Sequence, residues 1–166
     1  EKFETGKQKI YPTQGNIVQT ISKSLSPLQQ LISNKKIHIE FDENQHSVLV
    51  FFDEERIIQV ITNLVSNAIK FADEKAGVII ITLSEKEDEY VKVNVFNNGK
   101  GVNPEDLESI FDKFYQSSNQ NIKKPIGSGL GLAICKQIVE AHKGKIWAEN
   151  VQNGVNFSFT LPKKFQ

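Results

Sequence analysis

The stretch NLVSNAIKF, residues 63–71, closes a longer apolar-periodic run and decides how the rest of the chain is read. Upstream of it, Ile57, Ile58, Val60 and Ile61 lead into Leu64, Val65, Ala68 and Ile69. Recurrence at three and four residues predicts one long helix with a single buried face. Asp53 is its expected N-cap, with Glu54 and Glu55 in the first turn, where the helix dipole favours acids. The apolar face leaves a polar stripe through Gln59, Asn63, Asn67 and Lys70. Such stripes ordinarily face water, and on its own this one identifies nothing. Its chemistry is more specific: an amide oxygen is a hard ligand suited to Mg²⁺, and a Lys one turn away can meet phosphate.

Working outward, Ile17, Ile21, Leu25, Leu28, Leu31 and Ile32 predict an earlier helix, which Pro27 should kink. Two β-type runs, 37–41 and 47–52, flank the polar residues Asp42 to Gln45 and predict a hairpin. The first fifteen residues are polar, contain Pro12 and Gly15, and read as the end of a preceding element plus a linker; the domain proper is expected at 16–166. On the other side, 77–83 and 90–96 form a second expected hairpin across the acidic turn EKEDE. Residues 97–129 hold a Gly-containing turn, a short helix opened by Asn103 and Pro104, and the polar run SSNQNIKKP. A loop of that length suggests a mobile lid. A helix from about residue 130 to 142 and strands at 145–149 and 155–161, with Asn153 and Gly154 as their turn, complete the chain. The expected fold class is an α/β sandwich: a mixed, mainly antiparallel sheet covered on one face by three helices.

Composition narrows the function. The 166 residues carry 20 Lys+Arg against 20 Asp+Glu, so bulk charge does not point to nucleic acid as a partner. A single Cys and three His give no zinc-ligand spacing and no internal disulfide, which fits a reducing, cytoplasmic setting. No apolar run approaches the ~20 residues of a membrane helix, so no membrane contact is expected of this piece. With no Met anywhere and Glu1 first, the chain reads as a segment of something longer. Two glycine motifs remain. GSGLG, Gly127 to Gly131, runs into a helix, where Gly lets backbone approach a phosphate and free N–H groups favour an anion; a plain hinge has the same sequence. Neither GxGxxG before a βαβ unit nor GxxxxGK[ST] is present. NNGKGV, residues 97–102, ends a strand, where Gly99 and Gly101 permit a tight turn around a flat ligand or simply a turn.

In order along the chain, NLVSNAIKF, NNGKGV, IFDKFYQ from Ile110 and GSGLGLAI from Gly127 resemble the N, G1, F and G2 boxes of sensor histidine kinases. The resemblance covers residues 16–162, and KFETGK resembles the end of a preceding dimerisation helix. It implies the ATP-binding fold shared with type II topoisomerases, Hsp90-type chaperones and mismatch-repair ATPases, with ATP between the helices and a mobile lid. Position by position, it implies Asn67 as the Mg²⁺ ligand, Asn63 and Lys70 as phosphate-side contacts and Phe71 as an adenine-packing ring. Gly99 and Gly101 match the turn under the base, with Val102 on the pocket wall. Phe111 and Phe114 match the aromatic pair that anchors the lid; Gly127, Gly129 and Gly131, with Leu130 between them, match the phosphate-side hinge. Where relatives often carry Arg in the lid box, this chain has Lys113 and Gln116, and Lys123 and Lys124 are the available cations nearby.

Two further positions bear on activity. Hydrolytic relatives carry Glu at the first N-box position to activate water, whereas Asn63 stands here, which favours transfer to a protein side chain. The expected acceptor is a His followed by an acidic residue, yet His38, His46 and His142 precede Ile39, Ser47 and Lys143. The acceptor is therefore expected on a dimerisation and phosphoacceptor domain of the same full-length protein, with a response regulator downstream in two-component signalling. Asn97 stands where relatives usually have an Asp that accepts from the adenine amine. An amide can accept, or flip and donate, which brings in the alternative of a degenerate nucleotide-binding or regulatory module.

Overall fold

A computed structural model describes residues 9–112 and 131–164. The elements run β1 (Thr13–Asn16), α1 (Ile17–Leu25), α2 (Gln29–Asn34), β2 (His38–Glu40), β3 (Leu49–Phe52), α3 (Glu54–Phe71), β4 (Val78–Lys86), β5 (Tyr90–Asn98), α4 (Gly131–Ala141), β6 (Ile146–Val151) and β7 (Gly154–Pro162). The main sheet has five strands in the order β2-β4-β5-β7-β6, with β2 parallel to β4 and every other pair antiparallel. Its strands alternate. Val91, Val93 and Val95 on β5, and Val155, Phe157, Phe159 and Leu161 on β7, are buried beneath the helices. The sandwich of mixed sheet and three helices is the fold class that the sequence predicts, the first helix being broken at Pro27 by the 3-10 turn Ser26–Leu28.

Two local expectations are corrected. The runs at 37–41 and 47–52 are not a hairpin. β2 pairs with β4, while β3 pairs with β1 in a separate two-stranded sheet. The polar residues between them satisfy themselves, Asp42 Oδ1 accepting from Asn44 N at 3.0 Å, so the turn imposes no pairing on its flanks. The second correction concerns residues 13–15, which read as linker and form, with Asn16, the strand β1 paired to β3. Asn16 Oδ1 accepts from Val18 N at 3.1 Å, capping α1, and from Val48 N at 3.0 Å, which draws the start of β3 alongside.

α3 begins as expected: Asp53 Oδ1 accepts from Arg56 N at 3.4 Å. The other Asp53 oxygen accepts from Tyr11 N at 2.9 Å, and Asp53 N donates to His142 Nε2 at 3.0 Å. His142 Nδ1 in turn donates to Ile138 O at 2.9 Å, so one neutral imidazole joins the ends of α3 and α4. Burial holds His142 below its ordinary value of 6.5, opposed only in part by Ile138 O and the Asp53 charge. The unfolded chain therefore takes up the proton first as pH falls. The stability from neutral His142 is complete above 6.5 and declines as pH drops below it. Melting temperature measured between about pH 7 and pH 5 should fall, and His142→Gln should flatten that slope; an equal slope in both proteins would show that His142 does not couple to folding.

Candidate nucleotide site

α3 buries Ile57, Val60, Ile61, Leu64, Val65, Ala68 and Ile69 against the sheet, which turns Asn63, Asn67 and Lys70 toward its flank. All three are half-buried rather than fully solvated, so the stripe is partly covered by neighbouring structure. Asn63 faces α4: its Nδ2 lies 3.5 Å from Gly131 O and 3.7 Å from Cys135 Sγ. Cys135 is fully buried, and burial pushes its thiol up to about 12, so it packs as a neutral group against Val60 O. Asn67 lies one turn further along α3, its side chain with no hydrogen-bond partner among the described residues.

The turn at residues 99–102 meets the other end of α3. Gly99 adopts φ +125°, and a Cβ there would lie 2.7 Å from Phe71 O. Only glycine allows that contact. Phe71, the last residue of α3, is half-buried. Asn98, which the sequence did not single out, fixes the segment between α3 and β4: Oδ1 accepts from Asp73 N at 3.2 Å and Val78 N at 2.9 Å, and Nδ2 donates to Ala76 O at 2.7 Å. Asn97 is 2% exposed, and its Nδ2 donates to Asn98 O at 2.7 Å. A flip would set the amide oxygen against that carbonyl, so Oδ1 is the atom left to accept. Val102 is half-buried against the core.

Beyond the turn, Phe111 is buried and meets Phe157 edge to face, ring centroids 6.1 Å apart. Phe114, Gly127, Gly129, Leu130 and the cations of the expected lid lie outside the described residues. The structure thus brings Asn63 to Gly131 and Phe71 to Gly99, two contacts that link α3 to both glycine motifs. Among the described residues, no group of three or more His, Cys, Asp or Glu could hold a metal. One neutral amide, Asn67, suits a Mg²⁺ that arrives on phosphates and keeps most of its water, and does not suit a resident ion. No helix among the described residues is long and apolar enough to cross a membrane.

Residues 52–164 match the family described as histidine kinase-, DNA gyrase B- and HSP90-like ATPase. The sensor histidine kinase WalK of Bacillus subtilis is 38% identical over 133 residues, which are 78% of this chain and 22% of WalK. The sensor protein KdpD of Clostridium acetobutylicum is 35% identical over 98% of this chain and 18% of KdpD. The chain spans about a fifth of the length of either relative. The catalytic domain of histidine kinase ThkA superposes with a TM-score of 0.82 at 34% identity, covering 95% of this chain and all of that domain. ThkA in complex with the response regulator protein TrrA superposes at 0.75 with 35% identity, over 92% of this chain and 42% of that one. The chain belongs to the histidine kinase-, DNA gyrase B- and HSP90-like ATPases, in the branch formed by the catalytic domains of sensor histidine kinases.

Proposed function

We propose that this domain binds Mg·ATP between α3, the turn at 99–102 and the start of α4, and donates the γ-phosphoryl group to a His on a dimerisation and phosphoacceptor domain outside the chain. The observation that carries this reading is the double contact of α3, Gly131 against Asn63 at one point and Gly99 against Phe71 O at the other. Asn97 and residues 99–102 take the base, while Asn63 and Lys70 take the phosphate side and hold the chain of phosphates in line for attack. Bound Mg²⁺ supplies charge neutralisation, with Asn67 as its protein ligand. The imidazole nitrogen forms a bond to the γ-phosphorus as the bond to the β-bridging oxygen breaks, ADP leaves, and the imidazole proton passes to solvent. With Asn63 in place of a Glu, the site lacks a base there to activate water.

The complex of ThkA with TrrA supports a response regulator as the downstream partner. A cytoplasmic location follows from the need for ATP and such a regulator, whether or not the full-length protein is membrane-anchored. The boundary we propose starts the ATP-binding unit at β1 and not at residue 16, with the residues before Thr13 as the connection from a dimerisation helix.

Given labelled ATP and Mg²⁺, the isolated chain should acquire no acid-labile, base-stable phosphate, because none of its three His is followed by an acid. Adding a separate dimerisation domain that carries such a His should restore transfer in trans. Label on the chain's own His would overturn the assignment.

Asn97 motivates the second reading, a degenerate or regulatory module. The orientation of its amide favours retained adenine recognition: with Nδ2 held by Asn98 O, the buried side chain offers an acceptor to the adenine amine. Asn97→Asp should tighten ATP and ADP binding several-fold and widen their preference over GTP, since a carboxylate is an acceptor only. The gain is limited because Asp gives up the donation to Asn98 O. Calorimetric titration of both proteins with ATP and GTP measures it. If neither protein binds any nucleotide, the degenerate module replaces the kinase.

A further inference from the structure

The turn at 99–102 is held from the far side of the sheet. Asn150, the fifth residue of β6, places its amide against the peptide groups of Val102: Oδ1 accepts from Val102 N at 2.9 Å, and Nδ2 donates to Val102 O at 2.6 Å. One side chain thereby satisfies both polar groups of one residue, as a neighbouring strand would. Gly101 lies flush against the same amide. It adopts φ +83°, and a Cβ there would sit 2.5 Å from Asn150 Oδ1. A second tie comes from the β6–β7 turn, where Gly99 N donates to Asn153 O at 3.0 Å, Asn153 itself having φ 67°. β5 pairs in register with β7 as far as Asn98 opposite Gly154, so the segment that follows is held by these contacts and not by a ladder.

We propose that Asn150 is a positioning residue for the adenine nucleotide: it sets how far the 99–102 turn stands from α3 and so fixes the width of the base slot. This rests on the reading of 99–102 as the base-side turn. Asn150 touches no reacting atom. It acts through Val102, whose N–H and C=O it takes up, and through Gly101, which must lack a side chain for the amide to reach. Asn was not legible as functional here, because nothing within β6 distinguishes it from an ordinary exposed strand residue.

The test compares the parent chain with Asn150→Ala and Asn150→Asp by hydrogen exchange without ligand and by calorimetry with ADP and with ATP, each with and without Mg²⁺. Asn150→Ala should speed exchange of the Val102 amide while the amides of β5 and β7 keep their protection. ADP and ATP should both weaken by about tenfold, the scale of losing two ordered hydrogen bonds. The factor that Mg²⁺ adds to ATP affinity should stay as in the parent, because the phosphate end is untouched. Asn150→Asp keeps the acceptor for Val102 N but opposes Val102 O with a carboxylate, so Val102 should stay protected while nucleotide affinity still falls.

Unchanged exchange at Val102 in Asn150→Ala would overturn the clamp. Faster exchange throughout the sheet, or a Mg²⁺ factor that collapses with the rest, would make Asn150 a general fold residue and overturn the positioning role. A parent that binds no nucleotide removes the base-side reading and the positioning role with it, while the exchange result still shows whether Asn150 holds the turn.

Discussion

Asn67→Ala should lower the affinity for Mg·ATP by roughly 10- to 100-fold, the range seen when the surroundings of a bound metal are disturbed. The melting temperature should stay close to that of the parent. Both halves of the expectation come from where Asn67 sits. It lies on the half-buried polar side of α3, while Leu64, Val65, Ala68 and Ile69 carry the packing, and its side chain has no hydrogen-bond partner among the described residues to leave unsatisfied. Ala also has the higher helix propensity, by a few tenths of a kcal/mol, so any change in the fold itself should be slight and favourable. The diagnostic measurement is the ratio of ATP affinities with and without Mg²⁺. That ratio should fall toward one in the variant, because what is lost is the protein's share of the metal. Equal ratios in the two proteins would return Asn67 to the solvent-facing edge of an ordinary amphipathic helix.

What could be read in advance divides by the range of the interactions involved. α3 was legible because its signals are local: the apolar period, the Asp53 cap and the acidic first turn all lie within the helix or beside it. The β4–β5 hairpin was legible for the same reason. β2 and β3 were not. The alternation of Val48, Val50 and Phe52 shows that one face is buried, but a strand's own alternation does not name its partner. Their separation depends on Asn16, whose one carbonyl oxygen both caps α1 and meets Val48 N, and on the parallel pairing of His38 with Val78, contacts made across 32 and 40 residues of sequence. The site divides the same way. Asn63, Asn67, Gly99 and Gly101 fall in motifs with recognisable spacing, whereas Asn98 and Asn150 act on backbone groups that register alone brings near them. An asparagine in a strand carries no sign of that work until the partner peptide is in place.

Gly99→Ala should be the most damaging single substitution in the turn, for two separable reasons. At φ +125° an L side chain is strained, at a cost of about 1–3 kcal/mol. The new methyl would also lie 2.7 Å from Phe71 O, a backbone atom at the end of α3 that cannot rotate aside. Either the turn moves outward or α3 loses its last residue, and both outcomes open the place where Phe71 and the turn are expected to hold the base. A combined loss of about 2 kcal/mol or more corresponds to a fall of roughly 4–8 °C in melting temperature for a domain of this size. Nucleotide affinity should drop more than tenfold, about 1.4 kcal/mol or more. Gly15→Ala is the matched control. A Cβ at Gly15 would meet only the Phe52 ring, at 3.4 Å and beyond, and no left-handed backbone is involved, so its effect should be small. Thermal melts and ADP titrations on the three proteins decide the matter. If Gly99→Ala melts and binds as Gly15→Ala does, the turn adapts to a side chain without cost, and its contact with α3 is not what shapes the site.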